Sequence, residues 1–165
     1  ASDWSSDVCS SDLTIDANVS VNHQIIGAFA GPGLVIFVGV THTDSVSVAH
    51  TLAEKIYGLR IFDQEFVSQF DQLFVPPGSS RELSAGELGL PMLVISQFTL
   101  YASTKKGRRP TWDLAAPREV AEPLVGAVAQ KLNELGTDVS QGKFGADMEV
   151  SLTNAGPMTL IIDVD

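Results

Sequence analysis

The chain has a single cysteine, Cys9, so no internal disulfide can form and nothing in its cysteine usage points to an oxidising compartment. Histidine is also scarce. His23, His42 and His50 all lie in the first third, without the close pairing typical of metal ligands, so neither a zinc site nor any other metal is expected. No apolar run approaches the roughly 20 residues a membrane helix needs, and no basic start precedes an apolar core. A soluble, cytoplasmic chain with no membrane partner is the expectation. No Gly-x-Ser-x-Gly elbow is present, and no glycine-rich loop joins a strand to a helix in the manner of a phosphate cradle. Gly31-Pro32-Gly33 has the glycines in the wrong context. Positive charge is short as well: ten Lys and Arg stand against twenty Asp and Glu, a formal charge of −10 that argues against general affinity for nucleic acid.

The distribution of that charge matters more than its sum. Lys105, Lys106, Arg108 and Arg109 fall together, directly after a strand-like run that ends in polar residues. Such a cluster is either a solvated loop or a local phosphate contact on an otherwise acidic protein.

At 165 residues and 44% hydrophobic, the chain has material for one domain with a real core, and too little for two ordinary ones. Residues 1–13 hold five Ser and three Asp with little to bury, and read as a mobile, foreign tail outside a domain of residues 14–165. From 17 onward, Val19 and Val21 alternate with polar residues, Asn22-His23 reads as a hairpin turn, and Gly31-Pro32-Gly33 as the next. With the apolar run 34–40 these pieces suggest an antiparallel meander. Asp44 or Ser45 caps an expected helix to about Gly58, with Val48, Leu52, Ile56 and Leu59 on its buried stripe. Residues 59–62 read as a short strand. Residues 63–91 have no sustained period and read as a long surface insertion, with Phe66, Phe70 and Phe74 spaced for a docked helical turn.

Met92 to Ile95 forms a buried strand that ends in Ser96, Gln97 and Thr99, where a sheet can present chemistry to a ligand. Pro117 opens the best helix in the chain, with Val120, Leu124, Val128, Leu132 and Leu135 on one stripe, Pro123 inside it and Gly136 as its stop. Val139, Phe144, Met148, Val150 and Leu152 then alternate with polar residues. Asn154-Ala155-Gly156-Pro157-Met158-Thr159 reads as a turn before a last strand at 160–164. The catalytic inventory is thin. Thr99 has no base in sequence reach, so an enzyme built on this chain would rely on fixed backbone amides and on groups of the substrate itself.

Four motifs together carry a resemblance. Ser96-Gln97-Phe98-Thr99-Leu100, Lys106-Gly107-Arg108-Arg109-Pro110, Phe144-Gly145-Ala146-Asp147-Met148 and Asn154-Ala155-Gly156-Pro157-Met158-Thr159, in this order, resemble the D-aminoacyl-tRNA deacylase family. The resemblance implies an α/β (α+β) domain with a barrel-like, largely antiparallel core and two main external helices, assembled as a homodimer. It also implies hydrolysis of the ester joining a D-amino acid, or mischarged glycine, to the 3′ end of tRNA, with no cofactor. Carried over, Ser96, Gln97, Phe98 and Thr99 line the catalytic wall, and the 2′-hydroxyl of the terminal ribose assists the attack. Gly156 and Pro157, joined by a cis bond, enter the partner's pocket and exclude an L side chain by steric clash. Phe144 lies near the terminal adenine, Met148 and Asn154 complete the substrate site, and Lys105, Lys106, Arg108 and Arg109 meet tRNA phosphates.

Two departures accompany the match. The family carries a Gln-Arg-Val run just before the position of Ala17, whose arginine helps hold the Gly-Pro segment; here the chain reads Asp12-Leu13-Thr14-Ile15-Asp16. Ala155 stands where the family has Asp. These departures leave a second expectation open, a weakened relative or a chain altered at its N-terminus that binds tRNA ends or only dimerises.

Overall fold

Asn22 and His23 both take positive φ, 50° and 64°, which is the backbone of a two-residue hairpin turn whose twist matches its flanking strands. They join β1 (Asp7–Val21) to β2 (Gln24–Gly39) in an antiparallel pair. The computed structural model describes residues 7–79 and 81–165. The turn expected at Gly31-Pro32-Gly33 is a bulge inside β2. Register steps from Ile15 opposite Pro32 to Ala17 opposite Phe29, and the Gly31 amide donates to Asp16 Oδ1 at 2.6 Å. Asp16 and Gly31 both have positive φ there, so the two long strands bend together without separating.

Residues 7–13, expected in a mobile tail, form the first half of β1 instead. They pair with β2 on one side, Val8 opposite Gly39, and with the last strand on the other, Asp7 opposite Val164. Backbone bonds on both edges hold a central strand, and a polar composition does not forbid them. Residues 1–6 of the expected tail lie outside the described residues.

Two β-α-β crossovers extend the sheet. From β2 the chain passes through α1 (Val46–Gly58) to β5 (Met92–Ser96), and from β5 through α4 (Arg118–Glu134) to β6 (Val139–Gln141); both new pairings are parallel. The last strand, β7 (Glu149–Val164), closes against β1, giving the order β6-β5-β2-β1-β7. The long strands β2, β1 and β7 are antiparallel, as expected for most of the core. The sheet is bent rather than closed among the described residues. Ser45 is the N-cap of α1, its hydroxyl accepting from the Val48 amide, and Gly136 at φ 100° ends α4. The helix α4 continues through Pro123. Among the described residues no helix is long and apolar enough to cross a membrane.

Alternation along β2 and β5 explains why these strands read as continuous apolar runs. Leu34, Ile36, Val38, Met92 and Val94 face α1 and α4, while Val35, Leu93 and Ile95 face a second cluster with Ala17 and Val19. Phe29, Met148, Val150 and Leu152 cover that second face. Both faces are therefore apolar, the condition for a buried strand in a crossover sheet.

The 63–91 segment is not a surface excursion. Strand β3 (Arg60–Asp63) leads into a one-turn helix, α2 (Gln64–Val67), and the segment returns as β4 (Glu82–Ser84), paired with β3, and α3 (Ala85–Leu88). Val67, Leu83, Ala85, Leu88 and Leu90 are buried in the main core. Ser84 and Glu87 form a reciprocal capping box that starts α3. Short elements separated by Pro76-Pro77-Gly78 carry no period long enough to read. Of the three spaced phenylalanines, Phe66 packs against Phe62 and Phe70 against Phe66, while Phe74 is exposed.

Candidate active site

Strand β5 delivers Ser96 to the end of the sheet, where the Gln97 amide donates to Val38 O of β2 at 2.8 Å. The chain then winds into a 3-10 turn, Phe98–Tyr101, packed against the end of β2. Because such a turn cannot bond its own first amides, those of Phe98 and Thr99 have no acceptor within it. The Gln97 amide, by contrast, is already used. On the side-chain level, Gln97 Nε2 donates to Thr99 Oγ1, so the threonine hydroxyl is held by an amide rather than by a base.

A cavity of about 330 Å³ opens here, past the carboxyl ends of the parallel strands β2 and β5. Crossover sheets commonly bind ligands at such a place, since loops diverge there from a rigid edge. Ser96, Gln97 and Phe98 form one wall, and Phe144 and Met148, from the loop between β6 and β7, form the other. Five of the residues singled out from sequence thus meet around one space. Thr99 lies beside that wall without lining the cavity. The floor comes from Val38, Val40 and Ile95, which read only as core, and from Ala121 and Val125, which lie beside the expected stripe at four-residue spacing on α4.

The loop 142–148 corrects an expectation, since alternation through 139–154 suggests one strand. It is instead a loop between β6 and β7, turning at Gly145 with φ 71°. Arg118, at the start of α4, sits 5.7 Å from the centroid of the Phe144 ring. Glu122 accepts from Arg118 Nε at 2.8 Å, and this hydrogen bond holds the guanidinium's pKa above its ordinary value. The guanidinium is within cation–π reach of a ring that lines the cavity. Asp147 also lines the cavity, a carboxylate that neither charge pattern nor spacing singles out although it lies within one of the four motifs. Arg118 leaves no such signal, because contact across the loop is not encoded in spacing.

The Gly-Pro segment is not a turn between two strands. It is a wide bulge within β7: register steps from Thr14 opposite Asn154 to Asp12 opposite Thr159, so residues 155–158 stand against Leu13 alone. Asn154 Nδ2 donates to Thr159 Oγ1 at 2.9 Å across the base of the bulge. Asn154 itself is exposed and does not line the cavity. The residue facing the bulge is Leu13, 4% exposed.

Lys105, Lys106, Arg108 and Arg109 project from a lobe whose base is a two-residue bridge, Ser103 and Thr111 exchanging backbone bonds of 2.9 Å. All four are exposed and none lines the cavity. Gly107 takes φ 70° at the tip. Among the described residues no group of three or more His, Cys, Asp or Glu could hold a metal ion.

An open, bent sheet with two crossover helices and a cavity at its strand ends defines a ligand-binding α/β domain. Its sequence places it more narrowly. The profile of the D-Tyr-tRNA(Tyr) deacylase family matches residues 14–163. A D-aminoacyl-tRNA deacylase of Acidothermus cellulolyticus is 48% identical over 150 residues, covering 91% of this chain and 94% of that protein. Another, from Cutibacterium acnes, is 50% identical over 149 residues, covering 90% and 91%. A solved structure described as a probable eukaryotic D-amino acid tRNA deacylase superposes with a TM-score of 0.78 at 15% identity, over 96% of this chain and all of that one. The chain belongs to the D-Tyr-tRNA(Tyr) deacylase family.

Proposed function

We propose that this chain hydrolyses the ester between a D-amino acid and the 3′ end of tRNA, a proofreading hydrolase acting ahead of translation. Water adds to the ester carbonyl, the bond to the ribose oxygen breaks, and the free D-amino acid and the tRNA 3′-hydroxyl leave. The observation that carries this reading is the convergence of Ser96, Gln97 and Phe98 with Phe144 and Met148 around one cavity, in a chain of this family. The amides of Phe98 and Thr99 are suited to the developing oxyanion because they have no acceptor within their turn. The Thr99 hydroxyl is bonded to the Gln97 amide rather than to a base, and the resemblance to the family gives the task of assisting the water to the ribose 2′-hydroxyl.

Phe144, held under Arg118, offers its free face to the terminal adenine. Gly156 and Pro157 act from the partner subunit of a homodimer, filling the space an L side chain would need, and Asn154 tethers the base of that bulge. The four cations of the lobe contact tRNA phosphates. The reaction takes place in the cytoplasm, where charged tRNA is used, and needs no cofactor. Leu13 opposite the bulge, in a stretch without the family's arginine, favours one second reading: a chain that binds tRNA ends or only dimerises.

Hydrolysis of matched D- and L-tyrosyl-tRNA, with a chelator present, separates the two. Loss of the D ester alone supports the hydrolase; survival of both esters with a folded protein supports the second reading. Two variants test the parts. Thr99→Ala is expected to keep kcat within about tenfold of the parent, since the hydroxyl has a positioning partner and no base; complete loss with unchanged binding would make it the nucleophile. Arg108→Ala with Arg109→Ala should weaken tRNA binding and reduce its salt slope by roughly one to two phosphate contacts, and an unchanged slope would make the lobe a solvated loop.

A further inference from the structure

We propose that Trp112 is a stacking platform for the unpaired nucleotides that precede the terminal adenosine of the tRNA. This rests on the reading above that the substrate is an aminoacyl-tRNA. Trp112 is 41% exposed, and its ring lies 5.3 Å from that of Phe98 at an interplanar angle of 69°. Phe98 is itself 57% exposed and forms the wall of the cavity. Two adjoining aromatic rings left open to water at the mouth of a cavity mark a surface that something covers.

Trp112 is carried on a loop that cannot give way easily. Its preceding residue, Thr111, exchanges two backbone bonds with Ser103. On the following side, Thr41 Oγ1 donates to Leu114 O at 2.6 Å, His42 Nε2 lies 2.8 Å from Asp113 O, and the Ala116 amide donates to Val40 O at 2.9 Å. Few ties of this kind are needed merely to close a loop. A rigid backbone under an exposed ring lowers the entropy cost of stacking against it.

Charge identifies the occupant. Trp112 stands at the base of the lobe that bears Lys105, Lys106, Arg108 and Arg109, directly after Thr111 of its bridge, with its ring against Phe98 of the cavity wall, on a chain of formal charge −10. A single-stranded 3′ end requires this order: cations for its phosphates, an aromatic face for its bases, then the pocket for the ester.

The test compares Trp112→Ala and Trp112→Phe on two substrates, D-tyrosyl-tRNA and 3′-O-D-tyrosyl-adenosine, which has the ester and no preceding nucleotide. Trp112→Ala is expected to raise KM for the tRNA about fivefold or more, the lower end of what removing one base stack costs. The adenosine ester should be hydrolysed as by the parent, and Trp112→Phe should restore most of the affinity for tRNA. Equal loss on both substrates would show that Trp112 only supports Phe98, and no loss on either would show that nothing stacks there; each overturns the proposal. So would a change of oligomeric state in Trp112→Ala by gel filtration, which would give the aromatic pair to a second copy. Should the parent hydrolyse neither substrate, the hydrolase reading fails, and a separate readout still decides this one. In a Trp4→Phe background Trp112 is the remaining tryptophan, and a 5′-ACC-3′ oligonucleotide should quench its fluorescence saturably; absence of quenching overturns the platform.

Discussion

Replacing Gly39 by valine is expected to lower kcat/KM on D-aminoacyl-tRNA by about a hundredfold, the scale on which a displacement near 1 Å of substrate-positioning groups acts. Gly39 ends β2 and does not have positive φ, so its role is one of space rather than of backbone freedom. A Cβ placed there would lie 3.1 Å from Leu100 Cβ, 3.2 Å from Tyr101 Cδ2 and 3.3 Å from Gln97 O. All three atoms belong to Gln97 or to the turn that begins at Phe98. An alanine needs a few tenths of an ångström from that turn, and the two further methyl groups of valine need more. The core is already filled on the other side by Val38 and Val40, so the turn is what moves. Its movement carries the Gln97 and Phe98 wall and the amides of Phe98 and Thr99 away from Phe144. Steady-state kinetics of Gly39→Ala and Gly39→Val, with thermal melts as a control for folding, check the expectation. A valine variant that is folded and fully active would show that the turn does not position the ester.

What can be read from sequence follows from how local each signal is. The hairpin at Asn22-His23, the Ser45 cap and the Gly136 stop are legible because each depends on one or two residues with a distinctive backbone or side chain. The buried strands 34–40 and 92–95 are legible because burial on both faces leaves an uninterrupted apolar run. Long β2 and β7 are not, because glycine and proline signal a break in the local pattern, whereas pairing with β1 on the opposite edge carries both strands through their bulges. Residues 7–13 escape a compositional reading for the same reason. Strand pairing there comes from backbone partners far along the chain, such as Val8 with Gly39 and Asp7 with Val164, and no composition rule sees them.

At the candidate site, Ser96, Gln97, Phe98, Phe144 and Met148 can be named because they lie in motifs, and the structure brings them to one cavity. Ala121 and Val125 cannot, because what gives them a place at the cavity is the docking of α4 against β5, and Arg118 cannot, because it acts only through its contact with the Phe144 ring. In sequence Ala121 and Val125 lie beside the stripe read as buried, and Arg118 is one more charged residue at a helix start. The second copy that a homodimer would bring is a further contribution to the site with no local trace, and Gly156-Pro157 gains its proposed role only through it.

The second large effect is one of stability. Phe62→Ala is expected to lower the free energy of unfolding by about 3–5 kcal/mol, the usual cost of truncating a fully buried phenylalanine, and the melting temperature by roughly 10 °C. Phe62 is 0% exposed, lies in β3 opposite Leu83 of β4, and carries the ring of Phe66 at 6.0 Å between centroids. Phe66 in turn carries Phe70 at 5.0 Å. One side chain therefore joins both ends of the 63–91 segment to the main core, so its removal leaves a cavity and loosens the strand pair above it. Denaturant titration measures the first effect. Limited proteolysis measures the second, with faster cleavage between residues 68 and 81 in the variant than in the parent. A loss below about 1 kcal/mol, well under the cavity cost, would mean that β3 and β4 rest on the surface and that the segment contributes little to the core.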